Sequence, residues 1–429
     1  EGAKFNNYFV QNPVCMPSRM SFLTGRYCSS LGVGTNGPAF PEDAVPVNQL
    51  LKPYGYYTAQ IGKLHFLPHS RRDHRDPHPD YGFDEFILSD EPGCYDDAYI
   101  KWVEAIDPDM VPKVRASLPP AAEAAGRKSY SDVPRNTHEP YLFEADEDLT
   151  HSAFVASEMC KFLKKQKTDR PFFAIAGFYA PHAPVNPPRR FVKLYNPGDM
   201  PLPRLGVDES FEPYLRDVTP EKWQEIAAFY MALVSHVDDC VGKILDTLEK
   251  AGLAENTIVI FTSDHGEYLG NHGRIQKGPP GHDCIIRMPF IMRYPGTIKP
   301  GTAVDALAEG VDFVPTVLDC CGIQTPTFVQ GRSFKALVEG RTNAHREDVL
   351  MESFRPHGHK AAAVRTDEFK YCCSNDGKEL LYDLKKDPYE LENVAGEQSY
   401  KDVLLDMVKR LNIRLMDAAL NCRKREAEY

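Results

Sequence analysis

The chain has 429 residues, a hydrophobic share of 42%, a charged share of 26% and a formal net charge of −11. This is the composition of an ordinary globular protein, and the length exceeds what one core fills, so two domains or one large domain with an appendage are expected. The acidic balance argues against broad nucleic-acid binding, and no apolar run reaches the length of a membrane helix.

In chain order, Glu1-Gly2-Ala3-Lys4-Phe5 reads as the end of a helix, and residues 5–11 alternate enough for a short strand. Residues 48–52 predict a helix, and residues 57–61 a strand that ends at Gly62-Lys63-Leu64-His65. The segment 107–144 is rich in Pro, Ala and charge and has little periodicity, which predicts a long surface insertion of the kind that forms a lid. A long helix is expected over 146–165, with Leu149, Phe154, Val155, Met159 and Phe162 along one side. The apolar run 172–178 predicts a strand buried on both faces, 221–250 a second long helix, and 257–262 another buried strand. Such alternation points to an α/β fold with a large, mostly parallel sheet and helices on both faces. In such sheets ligands bind beyond the carboxyl ends of the strands. From residue 361 the pattern changes. Residues 363–366, 369–372 and 379–384 predict a small antiparallel sheet, packed on an amphipathic helix over 404–420. The expected division is a catalytic α/β domain over 1–345 and an α+β subdomain over 346–429.

The chemistry-bearing residues fall at these strand ends and at one helix start. In Cys15-Met16-Pro17-Ser18-Arg19, followed by Leu23-Thr24-Gly25-Arg26, a thiol stands where free N–H groups and the helix dipole favour negative charge. Thr262-Ser263-Asp264-His265-Gly266-Glu267 follows a strand and sets a carboxylate beside an imidazole, a pairing suited to a divalent cation. Lys63 and His65 follow the 57–61 strand, His182 stands in Pro181-His182-Ala183-Pro184, and Lys277 in Gln276-Lys277-Gly278. Each has an ordinary structural use: a cysteine beside a helix start is usually packed, and an Asp at a strand end usually caps a helix. The eleven cysteines include the adjacent pairs Cys320-Cys321 and Cys372-Cys373 but show no CxxC or zinc-type spacing. Scattered reduced thiols in a cytoplasmic protein fit better than a disulfide framework, and no signal peptide is visible at Glu1.

The run Cys-X-Pro-Ser-Arg with Leu-Thr-Gly-Arg resembles the sulfatase signature within the alkaline-phosphatase-like hydrolases. The likeness extends to Leu381-Tyr382-Asp383-Leu384. It implies a sulfuric ester hydrolase in which Cys15 is oxidised to formylglycine, whose hydrate is the nucleophile, and in which Arg19 holds the charged form. By the same resemblance, residue 15, Asp264 and His265 would ligate calcium, or else magnesium or manganese. Lys63 would stabilise the sulfuryl oxygens, His65 would partner the hydrate, His182 would contact the ester oxygen, and Lys277 would help protonate the leaving group. Asn36 corresponds to a polar substrate-binding position in some branches. The implied partners are a small sulfated substrate (sugar, choline or aryl sulfate) and a formylglycine-generating maturation enzyme, with no nucleic acid and no membrane.

Family members complete the metal site with acidic residues on a first strand preceding the position of Glu1. No Asp-Asp pair precedes Cys15, and the abrupt opening predicts a chain that begins after that strand. Three rival readings stand beside the sulfatase one. A phosphonate or phosphate ester hydrolase of the same superfamily would use the same formylglycine and metal, but its members tend to carry Tyr and Thr where Lys63 and His65 stand. A non-catalytic anion-binding relative would leave Cys15 unconverted. A cysteine phosphatase needs Arg six positions after Cys15, where this chain has Ser21.

Overall fold

A computed structural model describes residues 1–71, 78–129, 131, 139–167, 169–355 and 358–419. They form two compact units, one of Glu1–Val47, Arg204–Glu212 and Asn256–Tyr429, the other of Asn48–Pro203 and Pro213–Glu255. The fold is α/β with a small antiparallel sheet near the carboxyl terminus, as the sequence pattern predicts.

The first unit is built on a four-stranded sheet in the order Val259–Thr262, Phe290–Arg293, Ala3–Phe5, Thr302–Val304. The chain therefore opens in a strand rather than at a helix end. Ala3–Phe5 runs antiparallel to Phe290–Arg293 and parallel to Thr302–Val304, with Ala3 opposite Met292 on one side and Phe5 opposite Val304 on the other. Three residues carry no readable period, and their partners lie far along the chain, so local pattern could not find them. Asn6 and Asn7 then break the expected 5–11 strand. Their side-chain amides donate to Asp305 Oδ1 (2.7 Å) and to the Asp305 carbonyl (2.8 Å), and pairing resumes at Tyr8–Phe9, parallel to Ala308–Glu309. Rings from both segments pack on Phe290, Phe5 edge-on at 5.1 Å and Tyr8 stacked at 4.4 Å.

Four strands, Val349–Phe354, Lys360–Arg365, Phe369–Ser374 and Glu379–Asp383, form the antiparallel meander, one more than expected. The helix Lys401–Ala419 lies on it, sharing Met407 and Leu411 with a core of Leu350, Val364, Tyr371 and Leu381.

The second unit has a parallel sheet in the order Glu85–Leu88, Tyr57–Gly62, Phe172–Gly177. Its long helices are His151–Lys165 and Pro220–Lys250. The first was expected from residue 146. A 3-10 turn fills Glu147–Leu149, and Thr150 then sets the true start by accepting from the Ala153 N–H. Thr219 caps the second in the same way through Lys222.

Two expectations fail on burial. Phe172–Gly177 and Val259–Thr262 lie at the edges of their sheets and are largely half-buried, Phe261 being 41% exposed. Within 107–144 there are short helices at Val111–Val114 and Pro120–Ala124, and Ala122 of the second joins a small core with Cys94, Tyr95, Ala116 and Leu118. Residues 130 and 132–138 of that segment lie outside the described residues, as do 72–77 of the His-rich stretch 65–78. Trp102 packs against Tyr99 (6.5 Å) and Phe154 (5.6 Å). Among the described residues every cysteine is a free thiol, and no helix is long and apolar enough to cross a membrane.

Candidate active site

In the first unit the helix Cys15–Thr24 begins on Val14, whose backbone is extended and whose side chain cannot cap. The missing acceptor comes from a neighbouring loop: Asn36 Oδ1 accepts from the Met16 N–H at 3.0 Å. Asn12 braces the same turn, accepting from the Val14 N–H (2.9 Å) and donating to the Gly34 carbonyl (2.9 Å). Pro17, in the first turn, removes an N–H that would otherwise lack a partner. Cys15 is held at the first position of this helix and is 1% exposed.

Two cations or cation precursors meet its sulfur. Lys277 Nζ lies 3.3 Å from Cys15 Sγ, and His265 Nε2 lies 3.1 Å away. The His265 ring has a defined tautomer, because Nδ1 sits 2.9 Å from the Gly266 carbonyl and must donate to it. That leaves the Nε2 lone pair on the side of Cys15. Asp264 is fixed from helix Cys15–Thr24: Arg19 Nε donates to its Oδ2 at 2.6 Å, and Ser18 Oγ donates to its carbonyl at 2.5 Å. Arg19 thus orients the carboxylate of Asp264. Gly266 cannot be replaced cheaply, since a Cβ there would stand 1.9 Å from the Cys284 carbonyl oxygen.

Glu267, which the motif contains but sequence reasoning did not single out, locks the loop that carries Lys277. Its Oε1 accepts from the N–H groups of Leu269 (3.3 Å) and Gln276, both in the left-handed region at φ 48° and 60°. Burial of Lys277 opposes its charge, but the Cys15 sulfur and the Asp264 and Glu267 carboxylates outweigh this and raise its pKa. Lys277 therefore stays protonated at neutral pH.

The donor atoms of Cys15, Asp264 and His265 lie within 4.8 Å of one another. One carboxylate, one imidazole nitrogen with its lone pair free of its own backbone, and the atom at residue 15 fit part of a divalent cation's shell. A hard ion such as calcium also takes further oxygen ligands.

In the second unit, Lys63, His65 and His182 gather at the carboxyl ends of Tyr57–Gly62 and Phe172–Gly177. The two strands approach closely through glycines: a Cβ on Gly62 would lie 2.3 Å from the Gly177 oxygen, and one on Gly177 2.1 Å from the Lys63 oxygen. Lys63 is 2% exposed, with Nζ 4.7 Å from the centre of the Tyr179 ring. His65 has a left-handed backbone at φ 57°, held by Asp90 Oδ1, which accepts from the N–H groups of Leu64 (2.7 Å) and His65 (2.8 Å). The His182 ring lies 4.8 Å from that of Tyr179 and bonds through Nδ1 to the Ala183 carbonyl (2.9 Å). Asp90 and Tyr179 carried no sequence signal beyond their place just after strands.

A family profile described as sulfatase matches residues 1–323, and one described as N-sulphoglucosamine sulphohydrolase, C-terminal, matches residues 270–416. The chain is 29% identical over 449 residues to an arylsulfatase of Clostridium perfringens, covering 97% of this chain and 87% of that protein. It is 28% identical over 477 residues to an N-acetylglucosamine-6-O-sulfatase of Bacteroides thetaiotaomicron, covering 93% and 77%. Its fold is similar to that of the phosphonate monoester hydrolase of Agrobacterium radiobacter, with a TM-score of 0.80, 24% identity and coverage of 97% and 89%.

Proposed function

The chain belongs to the sulfatase family of hydrolases, and on that premise we propose that it cleaves small sulfuric esters with a formylglycine formed from Cys15. The observation that carries the reading is the placing of Cys15 Sγ between His265 Nε2 at 3.1 Å and Lys277 Nζ at 3.3 Å. Oxidised to the aldehyde and hydrated, residue 15 supplies a pair of geminal hydroxyls, one to attack sulfur and one through which sulfate is later expelled. A thiol has no second hydroxyl and cannot complete that cycle. Calcium, with magnesium or manganese as alternatives, is the proposed ion; Asp264, His265 and residue 15 would hold it, and it would supply positive charge beside the nucleophile.

The chain's own groups account for the rest. Arg19 keeps Asp264 turned toward this point through the 2.6 Å contact of its Nε. Protonated Lys277 stands where it can hold charge on a sulfuryl oxygen or give its proton to the departing alkoxide. Lys63, His65 and His182 take the roles that the family resemblance implies, on the sulfuryl oxygens, the hydrate and the ester oxygen, and Asn36 that of a substrate contact. Because Cys15 is 1% exposed, the maturation enzyme is proposed to convert it before the chain folds.

The substrate is proposed to be a small sulfate ester, with sugar, choline and aryl sulfates as its candidate classes. The test is the mass of the tryptic peptide spanning residues 5–19, from protein made with its maturation machinery, alongside turnover of 4-nitrophenyl sulfate and of a phenylphosphonate ester. An aldehyde at residue 15 and preference for the sulfate are expected. An unmodified thiol in active protein would remove the mechanism, and preference for the phosphonate would reassign the substrate class.

A further inference from the structure

We propose that Glu91 is a positioning residue for the catalytic pair Lys63 and His65, acting on each through a separate aromatic arm. The proposal rests on the sulfatase reading, which gives those two residues their roles. Glu91 follows the strand Glu85–Leu88 and is 5% exposed. A carboxylate so buried must be held by partners, since an uncompensated buried charge is strongly destabilising. Its two oxygens point two ways. Oε1 lies 3.2 Å from His69 Nε2, and Oε2 lies 2.9 Å from the Tyr179 hydroxyl.

Each arm ends on one of the pair. The His69 ring sits 4.8 Å from the His65 ring, tilted by 46°, and its far nitrogen Nδ1 is held 2.9 Å from the Tyr95 hydroxyl. With the Tyr95 O–H donating to Nδ1, His69 carries its proton on Nε2 and gives it to Glu91, so the ring is pinned at both ends. On the other arm the Tyr179 ring lies under Lys63 Nζ at 4.7 Å. The Tyr179 hydroxyl is also 2.7 Å from the Ala183 carbonyl, so its one hydrogen is shared between two acceptors. Its Glu91 contact is therefore the weaker of the two, and the His69 arm carries more of the effect.

The chemistry explains why a carboxylate stands here. His65 has a left-handed backbone, and the His69 ring lies against its own at 4.8 Å. A misplacement of about 1 Å of a catalytic group costs on the order of 100-fold in rate. Glu91 touches both the ring beside His65 and the ring beneath Lys63.

The test uses the full, matured chain with Glu91→Gln, Glu91→Asp, Glu91→Ala and Tyr179→Phe. Two readouts are taken, hydrolysis of 4-nitrophenyl sulfate and the side-chain 1H–15N spectra of His65 and His69. Glu91→Gln is expected to keep the melting temperature within a few degrees, to shift the His69 tautomer and the His65 resonances, and to lower kcat/KM by about 10- to 100-fold. Glu91→Asp should recover part of the loss, and Tyr179→Phe should cost less than Glu91→Gln. Should Glu91→Ala fail to fold, Glu91→Gln and Tyr179→Phe decide the matter. Wild-type kcat/KM in Glu91→Gln, or lost activity with His65 unmoved, would overturn the proposal. If converted wild-type protein hydrolyses no sulfate ester, the sulfatase reading falls, and the His65 response in Glu91→Gln still decides whether Glu91 holds that ring.

Discussion

Lys277 shows how one side chain's use follows from what surrounds it. Burial alone would push an ammonium toward neutrality, yet in the unconverted chain the Cys15 sulfur, Asp264 and Glu267 reverse that and raise its pKa, and the two carboxylates would remain after conversion of residue 15. A lysine kept charged beside residue 15 can donate to a leaving oxygen late in bond cleavage. Lys277→Ala is therefore expected to lower kcat by about 100- to 10,000-fold for alkyl sulfates. For 4-nitrophenyl sulfate the loss should be far smaller, because that leaving group departs without a proton. Equal losses across leaving groups would mean that Lys277 binds charge on sulfate and does not protonate the ester oxygen. This residue was legible in the sequence through its motif. Glu267, which accepts from the Gln276 N–H, was not, because its part is to clamp backbone N–H groups of left-handed residues, which leaves no pattern in a single sequence.

At the scale of elements, the apolar runs and helical periods named most of the scaffold, because a strand core or an amphipathic face is written locally. The strand Ala3–Phe5 was missed because its stabilisation comes from pairing with distant segments. A buried charge cluster on the carboxyl-terminal sheet escaped for the same reason. Lys370, in the strand Phe369–Ser374, is 0% exposed and meets Asp283 at 3.0 Å and Glu390, while Arg365 Nε reaches Asp283 Oδ2 at 3.3 Å. Lys370→Met would remove the ammonium that two buried carboxylates share and is expected to cost about 3–5 kcal/mol of stability, read by urea unfolding. The pH dependence separates the carboxylates. Burial pushes Glu390 up to about 7, with Lys370 opposing and Asp283 reinforcing the shift. A raised carboxyl pKa favours the folded state fully below the ordinary value of 4.5, and the gain is lost as pH rises through about 7. Asp283 is held below its ordinary value of 3.8, against its burial, by Lys370 and Arg365, so its contribution is lost only as pH falls below that value. Glu390→Gln should accordingly flatten the stability curve between pH 5 and 7 and leave the acid limb in place. A curve unchanged in that window would show that Glu390 does not titrate there.

For the whole molecule, the family and fold were legible because one short motif near Cys15 is specific, whereas the division into two units formed of interleaved segments was not. Contacts set residues 48–203 and 213–255 apart from the rest of the chain, and no local pattern marks where such interleaved segments begin or end. The net charge adds a constraint of its own. At −11, the chain as a whole repels an anionic ester, while a buried lysine such as Lys277 would attract one only at short range. Counter-ions screen charges beyond about 8–10 Å at physiological salt and leave a buried lysine's contact with its ligand almost intact. Raising ionic strength from about 10 to 150 mM should thus remove more repulsion than attraction. The expected result is a kcat/KM that rises a few-fold for a singly charged sugar or aryl sulfate and stays level for zwitterionic choline sulfate, measured at constant pH with a monovalent chloride salt. A fall with salt for the anionic esters would mean that a local positive field reaches into solvent and steers them, outweighing the charge of the chain.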